Sequence, residues 1–147
     1  IDLTESHHTA NNREDMDFLI RELKRHRDKE GLLMANFVDF DSMYGHRRNA
    51  QGYAQCLEDF DAMLGELLPL LQDDELLMIT SDHGNDPTMS GTDHTREEVP
   101  LVAYSPGLTE STDLGTRLTF ADLGQTIMDN FDAGKLPFGT SFLNDLK

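Results

Sequence analysis

The order of apolar and polar positions divides the chain into short apolar runs separated by stretches of helical periodicity. After a polar leader, Ile1 to Ala10, either Asn11 or Asn12 can cap a helix. Met16, Leu19, Ile20 and Leu23 recur in it at helical spacing, Lys24, Arg25, Arg27 and Lys29 make a basic last turn, and Gly31 ends it. Gly31 to Val38, apolar except for Asn36, reads as a strand covered on both faces. Asn49 to Leu71 places Tyr53, Leu57, Phe60, Leu64, Leu67 and Leu71 in steps of four and three, a long helix with one buried stripe. Cys56 lies beside that stripe as a small core residue, and Pro69 helps to end the helix.

Leu76 to Thr80, bounded by the acidic Asp73, Asp74 and Glu75, is too short for a helix and reads as a second strand. Val99 to Tyr104 is a third, with Pro100 tolerated near its start or on an edge. Ser105-Pro106-Gly107 turns the chain. Thr119, with Asp122 three residues on, caps a helix whose apolar face is Phe120, Leu123, Ile127 and Phe131. The tail, Gly134 to Lys147, carries Phe138, Phe142, Leu143 and Leu146, which are expected to dock on the core. Strand, helix and strand in succession make a crossover unit. The expected fold is therefore α/β, a three-layer sandwich with a mainly parallel sheet in which Leu32 to Val38, Leu76 to Thr80 and Val99 to Tyr104 run the same way.

A length of 147 residues fits one domain with a real core. The chain starts at Ile1, without an initiator Met, a signal pattern or an apolar run of membrane-spanning length, so it is expected to be soluble and cut from something longer. A single cysteine forms no internal disulfide and fits the cytoplasm. A net charge of -16 argues against nucleic acid or an anionic membrane as partner. It would also repel a phosphorylated substrate at long range, unless bound divalent cations reverse the sign locally.

The chemistry-bearing residues sit just past the ends of two of the apolar runs. Asp39, Asp41 and His46 follow the first, with Gly45 freeing the turn, and Asp82, His83 and His94 follow the second on a loop punctuated by Gly84, Pro87 and Gly91. Ligands bind at that edge of an open parallel sheet. Carboxylate and imidazole together favour manganese, zinc or iron over calcium. A polar loop with Asp82 as a helix cap is the plainer alternative. Asp39, Asp86 and Asp93 are either partners that orient imidazoles or turn residues. Arg47, Arg48 and Arg96 either contact phosphate or pair with the surplus carboxylates, and Thr92 and Thr95 are loop hydroxyls bonding backbone. His7 and His8, adjacent in the leader, are not expected to share a metal.

Val38-Asp39-Phe40-Asp41 with Tyr44-Gly45-His46-Arg47-Arg48, and Asp82-His83-Gly84-Asn85-Asp86-Pro87 leading to Gly91-Thr92-Asp93-His94-Thr95-Arg96, resemble the alkaline phosphatase superfamily, and within it the phosphopentomutase family. The likeness extends weakly to Thr119-Phe120-Ala121-Asp122-Leu123-Gly124 and to Gly139-Thr140-Ser141-Phe142-Leu143. The resemblance implies a cytoplasmic isomerase with two divalent metal ions, most often manganese, primed by a sugar bisphosphate. Such an enzyme interconverts the 1-phosphate and 5-phosphate of ribose or deoxyribose through a phosphothreonine.

By the family pattern Asp41, His46 and His94 hold one metal, and Asp82 and His83 hold the other. The family completes the second metal with an Asp near its N-terminus and the nucleophilic Thr, and inserts a substrate-binding cap. None of these matches a residue of this chain, so residues 1–147 are expected to be the C-terminal portion of such a core domain, inactive without the rest. Two readings stand beside this one. A cofactor-independent phosphoglycerate mutase or a phosphodiesterase of the same superfamily would share the metals, and a non-catalytic metal-binding domain would need no nucleophile.

Overall fold

The computed structural model describes residues 4–147. The chain forms two compact units. One runs to Leu70 and takes in His83–Glu98, and the other is Leu71–Asp82 with Val99–Lys147.

In the first unit, helix α1 (Asn12–Arg25) is capped by Asn11, whose side-chain oxygen accepts the Glu14 amide at 3.0 Å. It stops at Arg25 rather than continuing to Gly31. The apolar stripe ends at Leu23, and a helix gains most of its stability from the apolar face it buries, so no such face carries it on, and Arg27 instead donates to the Leu70 carbonyl at 2.7 Å. Helix α2 (Ala50–Leu67) is capped by Asn49, and a 3₁₀ turn containing Pro69 (Leu68–Leu70) follows it. The face of α2 that is buried carries Cys56, Met63 and Leu67, with Met16 of α1 wholly buried in the same unit. Leu57, expected on the stripe, is 51% exposed. The rest of the stripe is engaged as expected: Phe37 and Phe40 pack on the Phe60 ring at 5.0 and 5.7 Å, and Phe40 also meets Tyr53 at 5.8 Å.

Residues 31–38 form no strand. They have no regular secondary structure, Val38 already lies in the turn that follows, and Leu32, Leu33, Met34 and Val38 are exposed. A strand exists only through a partner's backbone groups, and among the described residues none pairs with this run. Its end is fixed instead by side chains: Asn12 and Asp39 exchange two bonds, the Asn12 amide to Asp39 Oδ2 at 2.9 Å and the Asp39 amide to Asn12 Oδ1 at 3.1 Å.

In the second unit, β1 (Leu77–Thr80) and β2 (Leu101–Tyr104) pair antiparallel, Leu77 opposite Tyr104 and Thr80 opposite Leu101. This corrects the parallel expectation. Residues 81–100 contain no helix, so nothing carries the chain back to the start of β1, as a parallel partner requires. The described residues thus hold helices and a small two-stranded sheet.

Helix α3 (Ala121–Asn130) also departs from the apolar pattern. Asp122, Gln125 and Thr126 are buried, while Phe120 and Phe131 are exposed. Asp122 forms no capping box. Its carboxylate accepts from the Arg117 guanidinium and from the Thr140 amide, both at 2.8 Å. Thr126 Oγ1 accepts the Phe142 amide at 3.0 Å, and Phe142 is wholly buried. The tail therefore docks through Phe142 and a set of polar bonds, whereas Phe138 stays 77% exposed.

Candidate metal centre

Phe40–Gly45 is a turn of π geometry, closed by the His46 amide donating to the Asp41 carbonyl at 3.0 Å. A bond spanning five residues brings Asp41 and His46 to the same side of the turn. Gly45 is buried there for a reason other than loop freedom: a Cβ would fall on the Asn85 amide and lie 3.0 Å from Asp41 Oδ1. The second loop, which leaves β1, folds back so that its arms meet at Gly84, where a Cβ would strike the Glu97 backbone.

Asp41, His46 and His94 converge. Their ligand atoms all lie within 4.8 Å of one another. His46 Nε2 is 3.1 Å from Asp41 Oδ2 and 3.1 Å from His94 Nε2, and His94 Nε2 is 3.5 Å from Asp41 Oδ1. A four-coordinate ion with bonds of about 2.1 Å keeps its donors about 3.4 Å apart, so this spacing fits one ion with little rearrangement. The side chains remain accessible, at 44% exposure for each imidazole and 32% for the carboxylate.

Around these donors lies a set of orienting bonds. His46 Nδ1 donates to the Thr92 carbonyl at 2.6 Å, which can only accept, so the ring keeps its lone pair on Nε2, the nitrogen facing the other donors. Asn85 Nδ2 donates to Asp41 Oδ1 at 3.0 Å. The His83 ring stacks on His94 with centroids 3.7 Å apart, and His46 and His94 are 4.7 Å apart. His83 Nδ1 also contacts the Gly84 carbonyl at 3.2 Å. Three imidazoles thus meet in one place. Asp82, exposed and two residues beyond β1, belongs to the second unit.

The secondary candidates sort differently. Asp39 is engaged with Asn12, and Asp86 is a turn residue whose Oδ1 accepts from the Thr88 amide and hydroxyl at 2.8 and 2.7 Å. Those two bonds, with Arg48 nearby, hold the Asp86 carboxyl below the usual range. Thr95 Oγ1 accepts the Asp86 amide at 2.5 Å, in keeping with a loop hydroxyl bonding backbone. His7 packs on Phe18 at 4.1 Å.

Arg48 neither pairs with carboxylates nor reaches outward for phosphate: its guanidinium is taken up by loop carbonyls and by Asn85. Asn85 is the neighbour of these donors that pattern reasoning missed, whereas Arg48 is singled out by the sequence but with the wrong partners. The one available signal was a basic residue next to a turn that faces a loop rich in carbonyl-exposing Gly, Asp and Ser.

A profile of the metalloenzyme superfamily matches residues 3–135. The chain belongs to the metalloenzyme superfamily, and membership implies binding of divalent metal. It is also 50% identical over 145 residues, 99% of its length, to a phosphopentomutase of Levilactobacillus brevis. It spans 36% of the length of that relative.

Proposed function

We propose that residues 1–147 are the C-terminal, metal-carrying portion of the core domain of a phosphopentomutase. In this reading the N-terminal core segment and the cap belong to the rest of the enzyme, and the strands 77–80 and 101–104 contribute to the larger sheet of a three-layer sandwich. The reaction is isomerisation, moving phosphate between the C1 and C5 oxygens of ribose or deoxyribose. The observation that carries the proposal is the convergence of Asp41, His46 and His94 to ion-binding spacing, in a chain 50% identical to a phosphopentomutase.

The donor set of one carboxylate and two imidazoles fits manganese or zinc. Asp41, His46 and His94 would hold one ion, and Asp82 and His83 part of the shell of a second. Two such ions stabilise charge on a phosphoryl group during in-line displacement. The part of the chain itself is to position. The Thr92 carbonyl fixes the His46 tautomer, Asn85 orients the Asp41 carboxylate and His83 supports the face of His94. The attacking threonine and the bisphosphate that primes it are supplied from outside these residues. A cytoplasmic setting follows from the same likeness.

The test is an assay of the complete enzyme with ribose 5-phosphate, 3-phosphoglycerate and a phosphodiester, each with manganese. Conversion of ribose 5-phosphate to the 1-phosphate, lost in Asp41→Asn, supports the proposal. Turnover of either other substrate in preference, or pentose turnover indifferent to Asp41→Asn, would overturn it.

A further inference from the structure

Arg48 has a positive φ of 51°, in the left-handed region where glycine is the usual residue and other L side chains are strained. It closes the turn that carries Asp41 and His46, with its amide donating to the Gly45 carbonyl at 3.1 Å. A backbone held in this region by a non-glycine residue is a pointer to what the side chain does there.

Nε donates to the Gly91 carbonyl at 2.6 Å, and Nη1 donates to Asn85 Oδ1 at 2.7 Å and to the Asp86 carbonyl at 2.8 Å. Nη2 donates to the Asp93 carbonyl. One planar fork thus grips four points of a loop that has no regular secondary structure of its own.

Two of these points lead directly to the candidate ligands. Asn85, held by Arg48, passes its own amide to Asp41 Oδ1 at 3.0 Å. The Asp93 carbonyl belongs to the peptide that joins it to His94. We infer that Arg48 is a positioning residue that assembles the metal centre, fixing the 85–94 loop so that His94 meets Asp41 and His46 before any ion arrives.

The inference rests on the metal reading above and adds to it a division of labour. His94 supplies a nitrogen, whereas Arg48 supplies the order of the loop that presents it. A lysine at the same place keeps the charge but bears its three N–H donors on a single nitrogen, and does not span four acceptors lying in different directions.

The experiment compares Arg48→Gly, Arg48→Lys and Arg47→Met in the complete protein. It reads Mn2+ binding by calorimetry and amide hydrogen exchange of residues 85–94 in the metal-free state. Glycine adopts the local backbone freely, so this variant removes the fork without adding strain.

Both Arg48 variants are expected to bind Mn2+ about 10- to 100-fold more weakly, the loss typical of removing a group that orients a ligand. Both should also exchange the 85–94 amides at least about tenfold faster, while Arg47→Met changes neither. Binding within twofold of the parent, or rescue by lysine, would overturn the inference, as would unaltered exchange in both Arg48 variants. Should the parent protein bind no Mn2+, or bind it indifferently to His94→Ala, the metal reading fails. The exchange measurement then decides alone whether Arg48 orders the loop.

Discussion

The Nε2 atoms of His46 and His94 face each other across 3.1 Å, with Asp41 closing the triangle. Two lone pairs at that distance repel unless a proton or a metal ion lies between them, and imidazoles bind metal only after losing their protons. Metal affinity is therefore expected to rise with pH and binding to release protons. Titration calorimetry in two buffers of different ionisation enthalpy counts those protons, and an affinity flat across the imidazole range would contradict the shared-ion reading.

His94→Ala and His83→Ala should separate cleanly. His94 contributes one of the three converging donors, and its loss is expected to weaken the tightest manganese or zinc site by more than about 100-fold, beyond the cost of removing an outer partner. His83 touches that site through its ring face against His94, so His83→Ala should weaken it by about tenfold or less. Equal losses would mean that His83 is itself a donor to the tight site.

Gly45→Ala tests the close approach of the two loops. The added methyl occupies the place of the Asn85 amide, so Asn85 must swing away and the Asp41 carboxylate loses its 3.0 Å bond. About a tenfold loss of metal affinity is expected, and a modest loss of thermal stability, because the methyl also crowds Asp41 Oδ1 at 3.0 Å and the Phe40 carbonyl at 3.2 Å. Affinity equal to the parent would show that Asn85 does not orient Asp41.

Much of the candidate cluster was legible in the sequence, because ligand-type residues recur at short spacing: Asp41 and His46 five apart, then His83 and His94 on one loop. The bonds around them were not, since Asn85 and Arg48 meet backbone carbonyls and a carboxylate brought together only by folding. The helices were legible from spacing, although α2 turned its Cys56–Met63 face inward in place of Leu57. Strand direction failed for a physical reason. Apolar runs report burial but not polarity of pairing, and the loop of residues 81–100, over which the third run was expected to stay parallel, contains no helix to make a crossover. The polar core of α3 was hidden too: Asp122 and Thr126 look like capping or surface residues until Arg117, Thr140 and Phe142 are seen to satisfy them.

Phe142 anchors the tail of the second unit, wholly buried against α3. Phe142→Ala is expected to destabilise that unit by about 3–5 kcal/mol, the usual range for a large buried aromatic. Thr126→Val, which leaves the Phe142 amide without its acceptor, should cost about 1–3 kcal/mol. Denaturant unfolding followed by amide exchange in residues 121–145 would check both values, and a Phe142→Ala loss below that of Thr126→Val would refute the anchor role.

Cys56 gives the chain a specific weakness toward alkali. Burial, followed by the nearby carboxylates of Asp39 and Asp59, pushes its thiol from an ordinary 9.0 to about 11, against a weaker opposing bond from Asn12 Nδ2 at 3.5 Å. Below pH 9.0 both folded and unfolded chains hold the proton, so this contribution to stability is complete. As pH rises from 9.0 to about 11 the unfolded chain releases its proton first, and the contribution is lost through that window. Urea unfolding on both sides of the window should show a loss of stability in the parent that is smaller in Cys56→Ala, since lysine and tyrosine titration is common to both. Alkylation by iodoacetamide should stay slow below the window unless urea is present, because only the thiolate reacts. Parallel pH profiles for parent and variant, or fast alkylation of the folded chain near neutrality, would show that Cys56 is neither buried nor disfavoured as an anion.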